Sequence, residues 1–213
     1  MGKGLFFGTA GIPNSTKTPG TLAGLEQVHE LGLDCMELEF VRGVNMSTRD
    51  AREAGKRAFR LGIRLSAHAP YYINLNAKEP EKVAASRERI MQTARITALF
   101  GGQSVVFHPA YYLRDDPSKV YDSVKNNVEQ LVAQLKAENI TVKLRPELMG
   151  KESQFGTLDE ILQLCTEVEG IAQLQSYMSL ARNVMANDRT AATVAAMLVA
   201  TGVKWVVEDP DVT

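Results

Sequence analysis

Three side chains stand out by type and by setting. His68 closes the stretch Ile63-Arg64-Leu65-Ser66-Ala67-His68-Ala69-Pro70, His108 closes Ser104-Val105-Val106-Phe107-His108-Pro109, and Glu147 closes Thr141-Val142-Lys143-Leu144-Arg145-Pro146-Glu147. Each stretch is short and rich in apolar residues, as a buried strand is, and each ends in a group that can ligate a metal. Two imidazoles and one carboxylate suit Zn²⁺, with Mn²⁺, Fe²⁺ or Mg²⁺ as substitutes. Such a trio holds one ion and leaves a coordination position open for water or substrate, as hydrolytic metal chemistry requires. Glu147 is assigned both as a ligand and as the catalytic carboxylate.

These groups converge only if their strands run parallel in one sheet, because a barrel of alternating strands and helices gathers the carboxyl ends of its strands at one face. The chain carries that alternation. Leu5 to Thr9 reads as a first strand, and Thr18-Pro19 reads as the cap and first residue of a helix that stops at Gly32. Asp34 to Phe40 is a second strand in which Met36, Leu38 and Phe40 alternate with Glu37 and Glu39. Helices follow from Ser47 or Thr48 to Leu61-Gly62, from Glu79-Pro80 to Phe100, and from Asp116-Pro117 through Val120, Val124, Val128, Leu131 and Leu135. Thr157-Leu158-Asp159-Glu160 is a capping box that opens another. Ile171 to Tyr177 reads as strand six, Asp188 to Gly202 as a helix, and Val203 to Glu208 as a last strand. The predicted fold is therefore α/β, a TIM-type (β/α) barrel of seven strands and six helices. A full eight-fold barrel takes about 250 residues, so these 213 residues fall short by about one βα unit. No linker or low-complexity tract divides residues 1–213, which are read as a single domain.

Composition bounds the function classes. The chain is 45% hydrophobic and 23% charged with a formal net charge of −1, so no basic excess announces a polyanionic partner. No apolar run approaches the ~20 residues of a membrane span, and the start shows no charged-then-apolar leader. Cys35 and Cys165 fit reduced, buried thiols rather than a disulfide framework. A soluble cytoplasmic protein is expected.

At Ser66-Ala67-His68-Ala69-Pro70-Tyr71-Tyr72-Ile73-Asn74-Leu75, Val106-Phe107-His108-Pro109 and Pro146-Glu147-Leu148-Met149-Gly150-Lys151 the chain resembles the endonuclease IV family, which belongs to the xylose isomerase-like TIM barrels. The likeness covers roughly residues 4 to 170. It implies cleavage of the DNA backbone 5′ to abasic sites by a trinuclear zinc cluster, with His68, His108 and Glu147 as three of the ligands. It also implies that Arg42, Tyr71 and Asn74 lie among the substrate-binding loop residues. Beyond strand six the family places an Asp and, three residues on, a His, where this chain has Ser176 and Ser179. No histidine follows His108. Either Glu208 is the family's last-strand Glu ligand and about one unit has been lost or rewritten after residue ~170, or residues 203–208 form an ordinary seventh strand.

Three functions compete. The first is a divalent-metal phosphodiesterase acting on DNA with abasic sites. The second is a sugar isomerase or epimerase, motivated by Glu39, the two histidines and the near-neutral charge. The third is an inactive, rearranged barrel, motivated by Ser176, Ser179 and the missing unit. Tyr71, Tyr72, Tyr111 and Tyr112 either stack on a base or sugar or anchor the barrel rim. Arg42 and Arg145 are available to phosphate, whereas Arg64 and Lys143 fit interior ion pairs with Glu37 or Glu39. His29 reads as a surface residue of its helix. An incomplete barrel leaves strand edges exposed, from which an altered closure or a homodimer through the edge is expected.

Overall fold

The computed structural model describes residues 6–149 and 151–171 together with the backbone of the strand at 205–208. The first strand, β1 (Phe6–Ala10), pairs in parallel with β2 (Cys35–Glu39), and β2 with β3 (Arg64–His68). Next to β3 runs β4 (Ser104–Phe107), and next to β4 runs β6 (Lys143–Pro146), again parallel. The short strands β5 (Ala110–Tyr111) and β7 (Gln154–Phe155) form a separate antiparallel pair. Strand β8 (Trp205–Glu208) completes a six-stranded sheet of order β6-β4-β3-β2-β1-β8. The fold is the α/β TIM type anticipated from the alternation of strands and helices.

Two features differ from expectation. The last strand was expected to join a parallel barrel; instead β8 runs antiparallel to β1, with Phe6 opposite Glu208 and Thr9 opposite Trp205. The free N–H and C=O groups of an edge strand accept a neighbour running in either direction, so local sequence carries no mark of it. The first helix begins later than Thr18-Pro19 indicates. Helix α1 spans Thr21–Glu30, its N-cap is Gly20 at φ 124°, and no side chain caps it. Of strand six, Ile171 forms a parallel bridge to Leu144. The rest of that strand, Ser176, Ser179 and the helix at 188–202 lie outside the described residues.

The other helices start and stop where their capping residues dictate. Helix α2 (Thr48–Leu61) opens with the Ser47 hydroxyl accepting from Asp50 N at 3.1 Å and closes on Gly62 at φ 70°. Helices α3 (Pro80–Leu99) and α4 (Pro117–Ala137) carry proline in the first turn, where its missing N–H costs nothing. Helix α5 (Leu158–Glu167) opens with the full Thr157–Glu160 capping box.

Alternation along the strands divides the sheet into two faces. Met36 and Leu38 of β2 and Leu65 and Ala67 of β3 pack outward against Leu25, Val28, Ala51, Ala54 and Ala58 of α1 and α2. Val105, Phe107 and Leu144 pack likewise against α3, α4 and α5. The opposite face carries Glu37, Glu39, Ser66, His68, Val106, Lys143 and Arg145, so the barrel interior is polar. Gly8 belongs to this arrangement through its size: a Cβ there would lie 1.9 Å from the Cys35 carbonyl oxygen.

Candidate metal centre

The ladder of the sheet continues past the strand ends and holds the ligand-bearing segments together. Phe40 N donates to His68 O at 3.0 Å, Ala69 N to Val106 O at 2.8 Å, and Glu147 N to Phe107 O at 2.9 Å. His68, His108 and Glu147 are therefore carried on three adjacent strands in the order β3, β4, β6, at the carboxyl end of the sheet.

There the three side chains converge. Glu147 Oε2 lies 2.8 Å from His108 Nε2 and 3.2 Å from His68 Nε2. One ligand atom from each residue falls within 4.8 Å of the others. Zinc bound at ~2.0–2.2 Å to nitrogen and oxygen in a tetrahedron separates its ligand atoms by roughly 3.3–3.5 Å, so the trio needs little movement to hold such an ion. His68 Nδ1 donates to its neighbour's carbonyl, Ala69 O, at 2.8 Å. That bond leaves Nε2 to face Glu147: protonated, it donates to the carboxylate at 3.2 Å, and on losing that proton it offers its lone pair to a metal, the second-sphere arrangement metal-binding imidazoles use. The donor set fits a divalent transition metal. Among the described residues it is the one such group of three.

Tyr71 packs the imidazoles in place. Its ring stacks on His108 at 5.1 Å and 6°, and meets His68 edge-on at 5.2 Å. The two imidazoles are themselves edge-on at 5.1 Å.

The electrostatics follow from burial and from these contacts. Burial pushes the Glu147 carboxyl upward, but hydrogen bonds and charge from His108 and His68 outweigh it and bring the pKa down to about 2. Burial pushes His68 down, and the carboxylates of Glu147 and Glu37 outweigh that, so its pKa ends above the ordinary 6.5. Glu37, 5% exposed, is driven up to about 7 by desolvation, against the opposing pull of His68 and of the Ser66 hydroxyl that donates to it at 3.3 Å. Of the interior ion pairs expected of Arg64 or Lys143 with Glu37 or Glu39, none to Arg64 is found among the described residues: the Arg64 guanidinium lies over the Phe6 ring, 4.0 Å from its centroid.

The remaining expected site residues are placed elsewhere. Arg42 is exposed and lines a cavity of about 800 Å³ with Glu39, Asp50 and Glu53, beside the start of α1. Asn74 spends its side-chain oxygen on Asn76 N at 3.0 Å and Tyr111 N at 3.1 Å, so it ties two rim loops together. Glu208 pairs with Phe6, at the amino end of β1, because β8 runs antiparallel. This register sets it at the opposite end of the sheet from His68, His108 and Glu147. The acidic lining contributed by Asp50 and Glu53 was not singled out from the sequence, because neither residue follows a strand or forms a motif.

Residues 25–181 match the model of the xylose isomerase-like TIM barrel family. The chain belongs to the xylose isomerase-like TIM barrel family. An uncharacterised protein of Methanocaldococcus jannaschii is 43% identical over 164 residues, covering 77% of this chain and 58% of its own length. Three solved structures share the fold across 78% of the chain. They are a putative xylose isomerase of Rhodospirillum rubrum (TM-score 0.64, 15% identity, 62% of that chain), a D-psicose 3-epimerase of Clostridium cellulolyticum (0.61, 15%, 62%), and endonuclease IV of Thermus thermophilus (0.57, 20%, 61%). The chain thus spans less than two thirds of these relatives of the xylose isomerase-like family. No helix among the described residues is long and apolar enough to cross a membrane.

Proposed function

We propose that this xylose isomerase-like barrel is a divalent-metal-dependent phosphodiesterase that acts on DNA at abasic sites. The observation that carries the reading is the convergence of His68, His108 and Glu147 within 4.8 Å. A donor set of two nitrogens and one oxygen favours zinc over the harder ions that carboxylate-rich sites select. A divalent ion held there supplies Lewis acidity to a phosphoryl oxygen and acidity to a water. The chain's own groups do the positioning. His68, locked by Ala69 O, and His108, stacked on Tyr71, keep their Nε2 atoms aimed at one point. Glu147, held ionised to about pH 2, is available at neutral pH as ligand or as proton acceptor. The Tyr71 ring walls one side of the cluster and limits water there.

The test is a duplex with a single abasic analogue, incubated with zinc-loaded protein and with chelator-treated protein. A chelator-sensitive nick 5′ to the lesion is expected. A protein with stoichiometric zinc and no nick overturns the reading.

A second reading rests on the cavity beside Glu39. Its lining holds Glu39, Asp50 and Glu53 against Arg42 alone, a balance that repels polyanions and accepts a neutral polyhydroxylated ligand. Sugar isomerase or epimerase chemistry in that cavity would show as solvent deuterium entering a ketose.

A further inference from the structure

Arg145 occupies an unusual position. It pairs in register with Val106 on β4, and both residues stand two positions before the ligands His108 and Glu147 on their strands. Alternation puts Arg145 on the same face as Glu147, one layer deeper, about 6–7 Å along the strand. The side chain is half-buried, and its Nε is shielded from solvent without a hydrogen-bond partner among the described residues. Arg57 and Arg87 also carry an unsatisfied Nε, but each engages a neighbour through Nη1, Glu26 and Gln130 respectively. Arg64 has the Phe6 ring, and Arg95 has Glu138 and Glu88. The buried interior carboxylate Glu37, two strands away from the Arg145 strand's neighbour β4, takes its hydrogen bond from Ser66. A buried guanidinium nitrogen without an acceptor costs free energy that an arriving anion recovers.

We propose that Arg145 is the anion-binding residue of the site, receiving a phosphate ester of the substrate from beneath the His68–His108–Glu147 cluster. The assignment rests on the phosphodiesterase reading and narrows it: the substrate offers non-bridging phosphoryl oxygens to a planar guanidinium, which takes two of them at once where an ammonium takes one. It also accounts for recognition of a polyanion's backbone by a chain of net charge −1, since a single interior cation acts locally and is little screened.

The test is ³¹P NMR titration of inorganic phosphate into the full chain, both metal-free and zinc-loaded, for wild type and Arg145→Gln, with zinc affinity measured by chelator competition. Wild type is expected to bind phosphate saturably. Arg145→Gln is expected to bind it at least tenfold more weakly in both forms, while zinc affinity stays within twofold. An unchanged phosphate affinity in Arg145→Gln, or no saturable binding by wild type, overturns the proposal. Should Arg145→Gln fail to fold, Arg145→Lys decides, with at least a threefold weakening expected and an unchanged affinity refuting the two-oxygen contact. Phosphate binding is read independently of nicking, so a protein that binds phosphate through Arg145 yet leaves abasic DNA intact sinks the hydrolysis reading alone.

Discussion

Replacing Glu147 with Gln keeps the shape of the side chain and removes the charge on which both histidines depend. In the metal-free protein the fall of the Glu147 pKa from 4.5 to about 2 corresponds to roughly 3.4 kcal/mol of interaction favouring the ionised form. The side chain is 42% exposed, and screening reduces the usable part to about 1–2 kcal/mol. A depressed carboxyl contributes stability that is present above its unfolded pKa of 4.5 and lost as pH falls through about 2. His68, whose pKa is raised, contributes stability that is complete below 6.5 and lost as pH rises through its higher folded value. The cluster therefore stabilises the metal-free chain most between about pH 4.5 and 6.5. At pH 5.5 in chelator, Glu147→Gln is expected to lower Tm by about 3–6 °C, and at pH 8.5 the difference shrinks toward zero.

Zinc reverses the pH preference, because it competes with protons for the imidazole nitrogens. At zinc a hundredfold above Kd the wild type gains about 2.7 kcal/mol. If losing the carboxylate weakens zinc a hundredfold, the same zinc concentration leaves the variant a gain of only about 0.4 kcal/mol. Calorimetric melts at pH 5.5 and 8.5, with chelator and with zinc, give all four quantities. A Glu147→Gln protein that keeps the full zinc shift, or a metal-free wild type whose cluster contributes nothing at pH 5.5, refutes the argument.

Other outcomes follow from single contacts. Tyr71→Ala removes the ring stacked on His108 and should weaken zinc binding about tenfold, measured by chelator competition. Gly8→Ala sets a methyl 1.9 Å from the Cys35 carbonyl oxygen and should cost about 3 kcal/mol in urea unfolding. Ser47→Ala deletes the hydroxyl that accepts from Asp50 N, for a loss of about 1 kcal/mol. Tyr112→Phe removes the hydroxyl that donates to Glu160 at 2.6 Å, again about 1 kcal/mol, since Thr157 and Gly156 continue to hold that carboxylate. Light scattering tests the proposed edge-to-edge homodimer, and a stable monomer at all concentrations removes it.

What could be read in advance, and what could not, divides along a physical line. His68, His108 and Glu147 were legible because each follows an apolar strand, and parallel strands align their carboxyl ends whatever the intervening loops contain. The starts of α2, α4 and α5 were legible because a cap is a contact between residues two or three apart, visible in Ser47, Asp116 and Thr157. Pairings across strands were not. Thr18-Pro19 resembles a helix start, yet Gly20 turns the backbone to φ 124° and the helix waits until Thr21. Nothing near Trp205 announces that β8 runs against β1, and that reversal is what carries Glu208 away from the cluster. The partners of the interior charges were equally hidden. Arg64 and Glu37 look like an ion pair by spacing, but the register β2–β3 sets Ser66 beside Glu37 and Cys35 beside Arg64. Glu37 is pushed up to about 7 chiefly by burial, and the Arg145 Nε has no hydrogen-bond partner among the described residues. Both residues stand on the interior face of the sheet that also carries the metal-binding trio. A buried guanidinium nitrogen without an acceptor costs free energy that an arriving anion recovers, so the proposed anion contact belongs at Arg145.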